Sequence, residues 1–309
     1  MPQNPSSGDA QTNRPRRGSR KAVYVIPSLL TTANIFCGFF SVMESLAGAQ
    51  FLSLGEVGAA TEHFDRAAIN IGFAVLFDFL DGSVARLAGA TSEFGIELDS
   101  IADVISFGIA PAVLAYTWGY GKTEGLHKIA WAASFIFVIC GALRLARFNV
   151  QARQPKPNLP IKNPKAEKRA FVGMPIPAGA CLIAAIAHFT PRPLSQRADL
   201  QMPFFAWTID DRAFVVGLII LVACLAFLMV STIRYSSFKN VGAPRYHPRI
   251  LILGIALVVL AIWFYSQWSL LVISTLYASH GLIAKFWSMV KPRRASAIEH
   301  PSETMNYER

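Results

Sequence analysis

Apolar residues along this chain gather into long stretches separated by shorter polar ones. They run at about Pro27–Ala47, Ala67–Leu87, Gly95–Trp118, Lys128–Phe148, Met174–Thr190, Ala213–Ile233, Ile250–Gln267 and Leu270–Met289. About 20 apolar residues in a helix cross the hydrocarbon of a bilayer, so the pattern predicts about eight transmembrane helices, Met174–Thr190 being the shortest. The fold class expected is therefore all-α, a polytopic membrane helix bundle.

Charge in the connecting segments gives that bundle a direction. Arg14, Arg16, Arg17, Arg20 and Lys21 precede the first stretch, and Arg153, Lys156, Lys162, Lys165, Lys168 and Arg169 against Glu167 separate the fourth from the fifth. Lys239, Arg245 and Arg249 follow the sixth, and Lys291, Arg293 and Arg294 follow the last. The segment Gln50–Asp65 holds Glu56, Glu62 and Asp65 with no Lys or Arg, and Pro191–Arg212 is mixed. Basic loops stay in the cytoplasm, so both termini and the turn between the second and third helices are expected there.

Composition agrees. With 53% hydrophobic and 16% charged residues among 309, and a mean hydropathy of +0.40, an ordinary soluble domain is excluded. Residues 1–22, rich in Pro, Ser, Gly and Arg, are expected to form a disordered basic cytoplasmic tail that touches anionic lipid. Cys37, Cys140, Cys181 and Cys224 lie singly in apolar segments without metal-ligand spacing and read as small hydrophobic fillers.

One stretch breaks the apolar pattern. Between Asp78 and Asp103 the chain places four aspartates and Arg86 inside two otherwise apolar segments, where unpaired charge costs several kcal/mol or more. Asp78, Asp81, Gly82, Ala85 and Arg86 share one face of the second helix, and Asp99 and Asp103 share a face of the third. Across a helical hairpin turning near Ala90, Asp81 would stand opposite Asp99 and Asp78 opposite Asp103, in layers about 5 Å apart. Carboxylates that close repel unless a cation sits among them, and hard oxygen ligands suit Mg²⁺ or Mn²⁺. Gly82 and Ala85 alone would fit a small-residue helix contact, but such a seam gains nothing from four buried acids.

These residues also spell a pattern. D-x2-D-G-x2-A-R-x8-G-x3-D-x3-D is met by Asp78, Asp81, Gly82, Ala85, Arg86, Gly95, Asp99 and Asp103, and the chain thereby resembles the CDP-alcohol phosphatidyltransferase family. Four further stretches, Ser106–Ala112, Gly141–Asn149, Gly173–Pro177 and Arg234–Lys239, are similar to the bacterial membrane-embedded, serine-using members of that family. The resemblance covers about Ile26 to Lys239 and implies a six-helix core over residues 23–240; the apolar pattern adds two further helices over 248–290, and the charge pattern a cytoplasmic tail over 291–309. The resemblance further implies a bacterial inner-membrane protein with its site facing the cytoplasm, transfer of a phosphatidyl group from CDP-diacylglycerol to L-serine with release of CMP, and a homodimer. Asp78, Asp81 and Asp99 match the family's metal ligands, Asp103 can join a second ion, and Asp103 also matches the general base.

The remaining candidates follow from position. Gly82 and Ala85 leave room for cytidine, with Arg86 beside them and Asn34 on the first helix able to reach the diphosphate. Arg144 and Arg147, three apart, are candidates for the acceptor carboxylate, as are Arg234 and Lys239 for phosphate or carboxylate; anchoring at the membrane surface is the competing reading for all four. Glu97 falls about 200° around the helix from Asp99 and is placed off the site. His188 and His280, without acids in register, read as packing residues. No Gly-rich phosphate loop offers another nucleotide site, and no nucleic-acid partner is expected. Other acceptors (glycerol 3-phosphate, inositol phosphate, choline) and a divalent cation transporter are the alternatives, although no second set of acids continues toward the opposite face.

Overall fold

The computed structural model describes residues 17–88, 93–121, 123–153, 170–194, 200–201, 208–209, 211–236, 260, 262 and 264–290. Its elements are α1 (Arg17–Ser53), α2 (Val57–Ala88), α3 (Glu93–Tyr120), α4 (His127–Arg153), β1 (Ala170–Val172), α5 (Ile176–Phe189), β2 (Leu200–Gln201), β3 (Thr208–Ile209), α6 (Asp211–Val230), β4 (Arg234–Ser236) and α7 (Ser266–Val290). Among the described residues, α1, α2, α3, α4 and α6 each hold a segment long and apolar enough to cross a membrane, and α5 is a shorter apolar helix. The protein is an integral membrane protein. Of the expected helices, α7 matches the last, whereas Ile250–Gln267 lies largely outside the described residues.

Two boundaries differ from expectation for the same reason: a helix continues wherever its backbone bonds continue, whether or not the side chains are apolar. The second helix begins at Val57, ten residues before its apolar stretch, so Glu62 and Asp65 ride on α2 rather than in a loop. There Arg66 Nη2 donates to Glu62 Oε2 at 3.0 Å, an i, i+4 pair that suits a solvated helix end. Similarly α1 begins at Arg17, carrying Arg17, Arg20 and Lys21 on its first turns, inside the span expected as tail.

Small side chains let α1 and α2 approach closely. Gly48 meets the ring of Phe64, where an added Cβ would come within 2.8 Å, and Ser41 Oγ donates to the Ala67 carbonyl at 2.8 Å. Without a hydrophobic driving force between helices in lipid, this close packing is what associates them. Gly38 lies against Ser106 of α3 in the same way, and Ser106 Oγ donates to the Asn34 carbonyl at 2.9 Å.

The helix α3 is continuous but contains two π-helical stretches, Val104–Ile109 and Ala115–Tyr120, on either side of Ala110–Leu114. Pro111 sits in the intervening segment, and its missing N–H removes one rung of the ordinary i to i−4 ladder. The second wide turn carries the largest fully buried side chains among the described residues, Trp118 and Tyr120. Trp118 Nε1 donates to the Thr190 carbonyl at 3.0 Å, and Tyr120 Oη pairs with Ser134 Oγ at 2.8 Å.

The all-α expectation needs one addition. β1 pairs antiparallel with β4, Phe171 opposite Tyr235 and Val172 opposite Arg234, and β2 pairs with β3. The first ladder joins the chain before α5 to the chain after α6. Gly173 closes it: its φ is +83°, its N–H donates to the Ile233 carbonyl at 2.8 Å, and a Cβ there would run into the backbone around Met229. Two separate sequence stretches, Gly173–Pro177 and Arg234–Lys239, thus begin at neighbouring positions.

Candidate active site

The hairpin of α2 and α3 brings three carboxylates together. One oxygen from each of Asp78, Asp99 and Asp103 lies within 4.8 Å of the other two, and all three residues are partly buried. Asp103 Oδ1 is buried without a hydrogen-bond partner. Three anions at this spacing in a low-dielectric bundle repel strongly, and the donor set is all oxygen; both facts fit a divalent cation among them.

Asp81, expected in the same nest, is turned away. It is only 6% exposed, and Thr31 Oγ1 of α1 donates to its Oδ2. Three residues advance a helix about 60° short of a full turn, enough to face Asp81 toward α1 while Asp78 faces α3. Asp81 still lies within electrostatic reach of Asp99. The pairing by height therefore holds for Asp78 with Asp103, and Asp99 joins that pair.

One turn along α1 from Thr31, Asn34 is fully buried, and neither atom of its side-chain amide has a partner. Gly82 is partly buried beside Asp81. The side chains of Ala85 and Arg86 lie outside the described residues, as does Lys239; Arg234 is placed only by its backbone in β4. Glu97 is exposed, off the carboxylate group.

The two candidate arginines of α4 separate. Arg144 is partly buried within electrostatic reach of Asp103, with its Nε buried and unpartnered, whereas Arg147 is exposed. The registration of α4 against α3 is set nearby: Asn149 Nδ2 donates to Ser100 Oγ at 2.8 Å, and Gly141 lets Ile176 of α5 pack where a side chain would stand.

His188 corrects an expectation. It is no packing residue: its Nδ1–H donates to Asp65 Oδ1 at 2.6 Å, and its Nε2 pairs with Ser266 Oγ at 2.9 Å. The acid comes from another helix, 123 residues away in sequence, so no register within α5 announces it. His280 is exposed on α7. A second polar pair escaped the sequence altogether: His63 Nδ1–H donates to the buried Glu44 at 2.7 Å and stacks on Phe51. Both clusters stand at the end of the bundle away from the α2–α3 hairpin. A surface groove of about 600 Å³ lined by Tyr116, His127, Lys128, Trp131 and Ala132 is at that same end, remote from the carboxylates.

Known proteins match this chain over most of its length. The model of the CDP-alcohol phosphatidyltransferase family matches residues 24–209. A CDP-diacylglycerol–serine O-phosphatidyltransferase of Helicobacter pylori is 32% identical over 271 residues, covering 87% of this chain and 94% of that one. The protein of the same description from Mycobacterium leprae is 32% identical over 81% of this chain and 71% of its own. The one from Saccharomyces cerevisiae is 37% identical over 52% of each.

Proposed function

The chain belongs to the CDP-alcohol phosphatidyltransferase family, and from that premise we propose that it transfers the phosphatidyl group of CDP-diacylglycerol to L-serine, forming phosphatidylserine and CMP. The observation that carries the reading is the carboxylate triad of Asp78, Asp99 and Asp103 at the membrane-embedded hairpin. Its relatives described as serine phosphatidyltransferases supply the acceptor.

The triad fits Mg²⁺ or Mn²⁺, with Asp81, held by Thr31 beside Asp99, completing the acidic set. When bound, such an ion neutralises the diphosphate and stabilises the departing phosphate. The chain's own groups do the rest. Asp103 accepts the proton of the serine hydroxyl as that oxygen bonds to the lipid-side phosphorus; the bridging P–O bond breaks, and CMP leaves with its electron pair. Arg144 holds the serine carboxylate in this reading, supported by its electrostatic reach to Asp103 and its buried, unpartnered Nε. Gly82 and Ala85 leave space for cytidine beside the second helix, with Arg86 and Asn34 toward the diphosphate. Arg147, Arg234 and Lys239 contribute positive charge at the hairpin end. The catalytic unit runs from the start of α1 to residue 240, 248–290 add two helices, and 1–16 and 291–309 are tails. The site faces the cytoplasm of a bacterial inner membrane, on the basic-loop pattern, and the working unit is a homodimer.

Purified protein supplied with CDP-diacylglycerol and a divalent ion should release CMP when L-serine is added, and chelation should abolish release. An acceptor screen including glycerol 3-phosphate, inositol phosphate and choline decides the alcohol. Release that ignores serine, or persists in chelator, would reject the reading.

A further inference from the structure

Three helix ends meet at the face of the bundle away from the carboxylates. Asp65 rides on the polar start of α2, His188 lies in the last turn of α5, and Ser266 opens α7. Their contacts form one line: Asp65 Oδ1 to His188 Nδ1 at 2.6 Å, then His188 Nε2 to Ser266 Oγ at 2.9 Å. An ionised carboxylate only accepts, so Nδ1 carries the proton of the neutral imidazole and Nε2 presents its lone pair to the serine hydroxyl. Acid, base and nucleophile stand in this order wherever a histidine takes a proton from a serine.

Burial is graded along the line. His188 is 7% exposed between its two partners, whereas Ser266 at the far end is partly exposed. Phe264, Tyr265 and Trp268 around Ser266 are exposed, and Trp268 meets Phe189, the neighbour of His188 in the chain, edge to face at 4.7 Å. Exposed aromatic side chains at the end of a membrane helix belong at headgroup level, which is where the ester groups of lipids lie. The first N–H groups of a helix lack partners within it, so the start of α7 also supplies donors beside Ser266 for an oxygen that gathers negative charge.

We propose that Asp65, His188 and Ser266 form a second catalytic site, an esterase that acts on the acyl esters of membrane glycerolipids at the boundary opposite the carboxylate triad. Ser266 Oγ bonds to the acyl carbonyl carbon as its proton passes to His188 Nε2; the ester C–O bond breaks, and the alcohol leaves with that proton. Water, giving its own proton to Nε2, then cleaves the acyl–serine ester, which frees the carboxylic acid and restores Ser266. Asp65 keeps the imidazole in the required tautomer throughout. The site uses none of Asp78, Asp99 and Asp103 and does not depend on the serine-transfer reading.

A fluorophosphonate probe bonds covalently to an activated serine, and a serine that merely ties α7 to α5 resists it. On the intact full-length protein in detergent, peptide mass mapping should place the probe on Ser266, and Asp65→Asn should slow labelling by about 10²-fold or more. Dioleoylphosphatidylglycerol in mixed micelles tests the substrate: wild type should release oleate, and Ser266→Ala, purified in the same way, should not. Wild type that stays unlabelled at Ser266, labels as fast after Asp65→Asn, or leaves the lipid intact would overturn the proposal, and the first and last of these outcomes do not require any variant to fold. No readout involves CMP, so their failure leaves the serine-transfer reading untouched.

Discussion

At the scale of single residues the site turns on rotation about helix axes. Asp78 and Asp81 are three apart and were expected on one shared face, each opposite an acid of α3, yet one joins Asp99 and Asp103 while the other takes a hydroxyl from Thr31. The sequence reveals which acids share a helix and at what height; it does not reveal how far two helices roll against each other, because small side chains on α1 decide that. Asp103 is the member with a buried, unpartnered oxygen, and its role can be separated from metal holding. Asp103→Asn keeps size and polarity but cannot take a proton, so transfer should fall by about 10²–10⁴-fold. Binding of CDP-diacylglycerol in the presence of Mg²⁺ should change only a few-fold, measured by calorimetry on detergent-solubilised protein. Near-normal turnover would remove Asp103 from the base role.

At the scale of elements, hydropathy located α1 to α6 and α7, because crossing a bilayer demands apolar length. What it could not locate was anything the bilayer does not demand. The polar start of α2, the shift of α3 into π turns and the β1–β4 ladder arise from backbone hydrogen bonding, which leaves no apolar signature. The ladder hinges on Gly173, whose positive φ and crowding by the Met229 backbone both exclude a side chain. Gly173→Ala should cost about 2 kcal/mol or more and lower the thermal unfolding temperature in detergent. Gly72, on α2 with nothing near its would-be Cβ, is the control: Gly72→Ala should leave that temperature unchanged or slightly raised. Similar losses at both glycines would mean the ladder contributes nothing.

At the scale of the whole molecule, polar bonds at the end away from the hairpin tie distant parts of the chain. The Asp65–His188–Ser266 relay connects α2, α5 and α7; from sequence Asp65 belongs to an acidic connecting segment and His188 to helix packing, since the partners are supplied only by folding. His188→Ala leaves Asp65 and Ser266 without this partner and should destabilise the protein by about 1–3 kcal/mol; denaturation in mixed micelles measures it, and an unchanged midpoint would deny the relay a structural part. The one element that runs from the acids to the buried Trp118 and Tyr120 is α3, and it does so through two wide turns. Each such turn uses an extra residue, so it acts as a phase shifter: the acidic end can be aimed at α2 and α4 while the aromatic end keeps its own orientation. Substitutions that reset the angle at one extremity need not disturb the other, and a single rod thereby serves two differently facing surfaces.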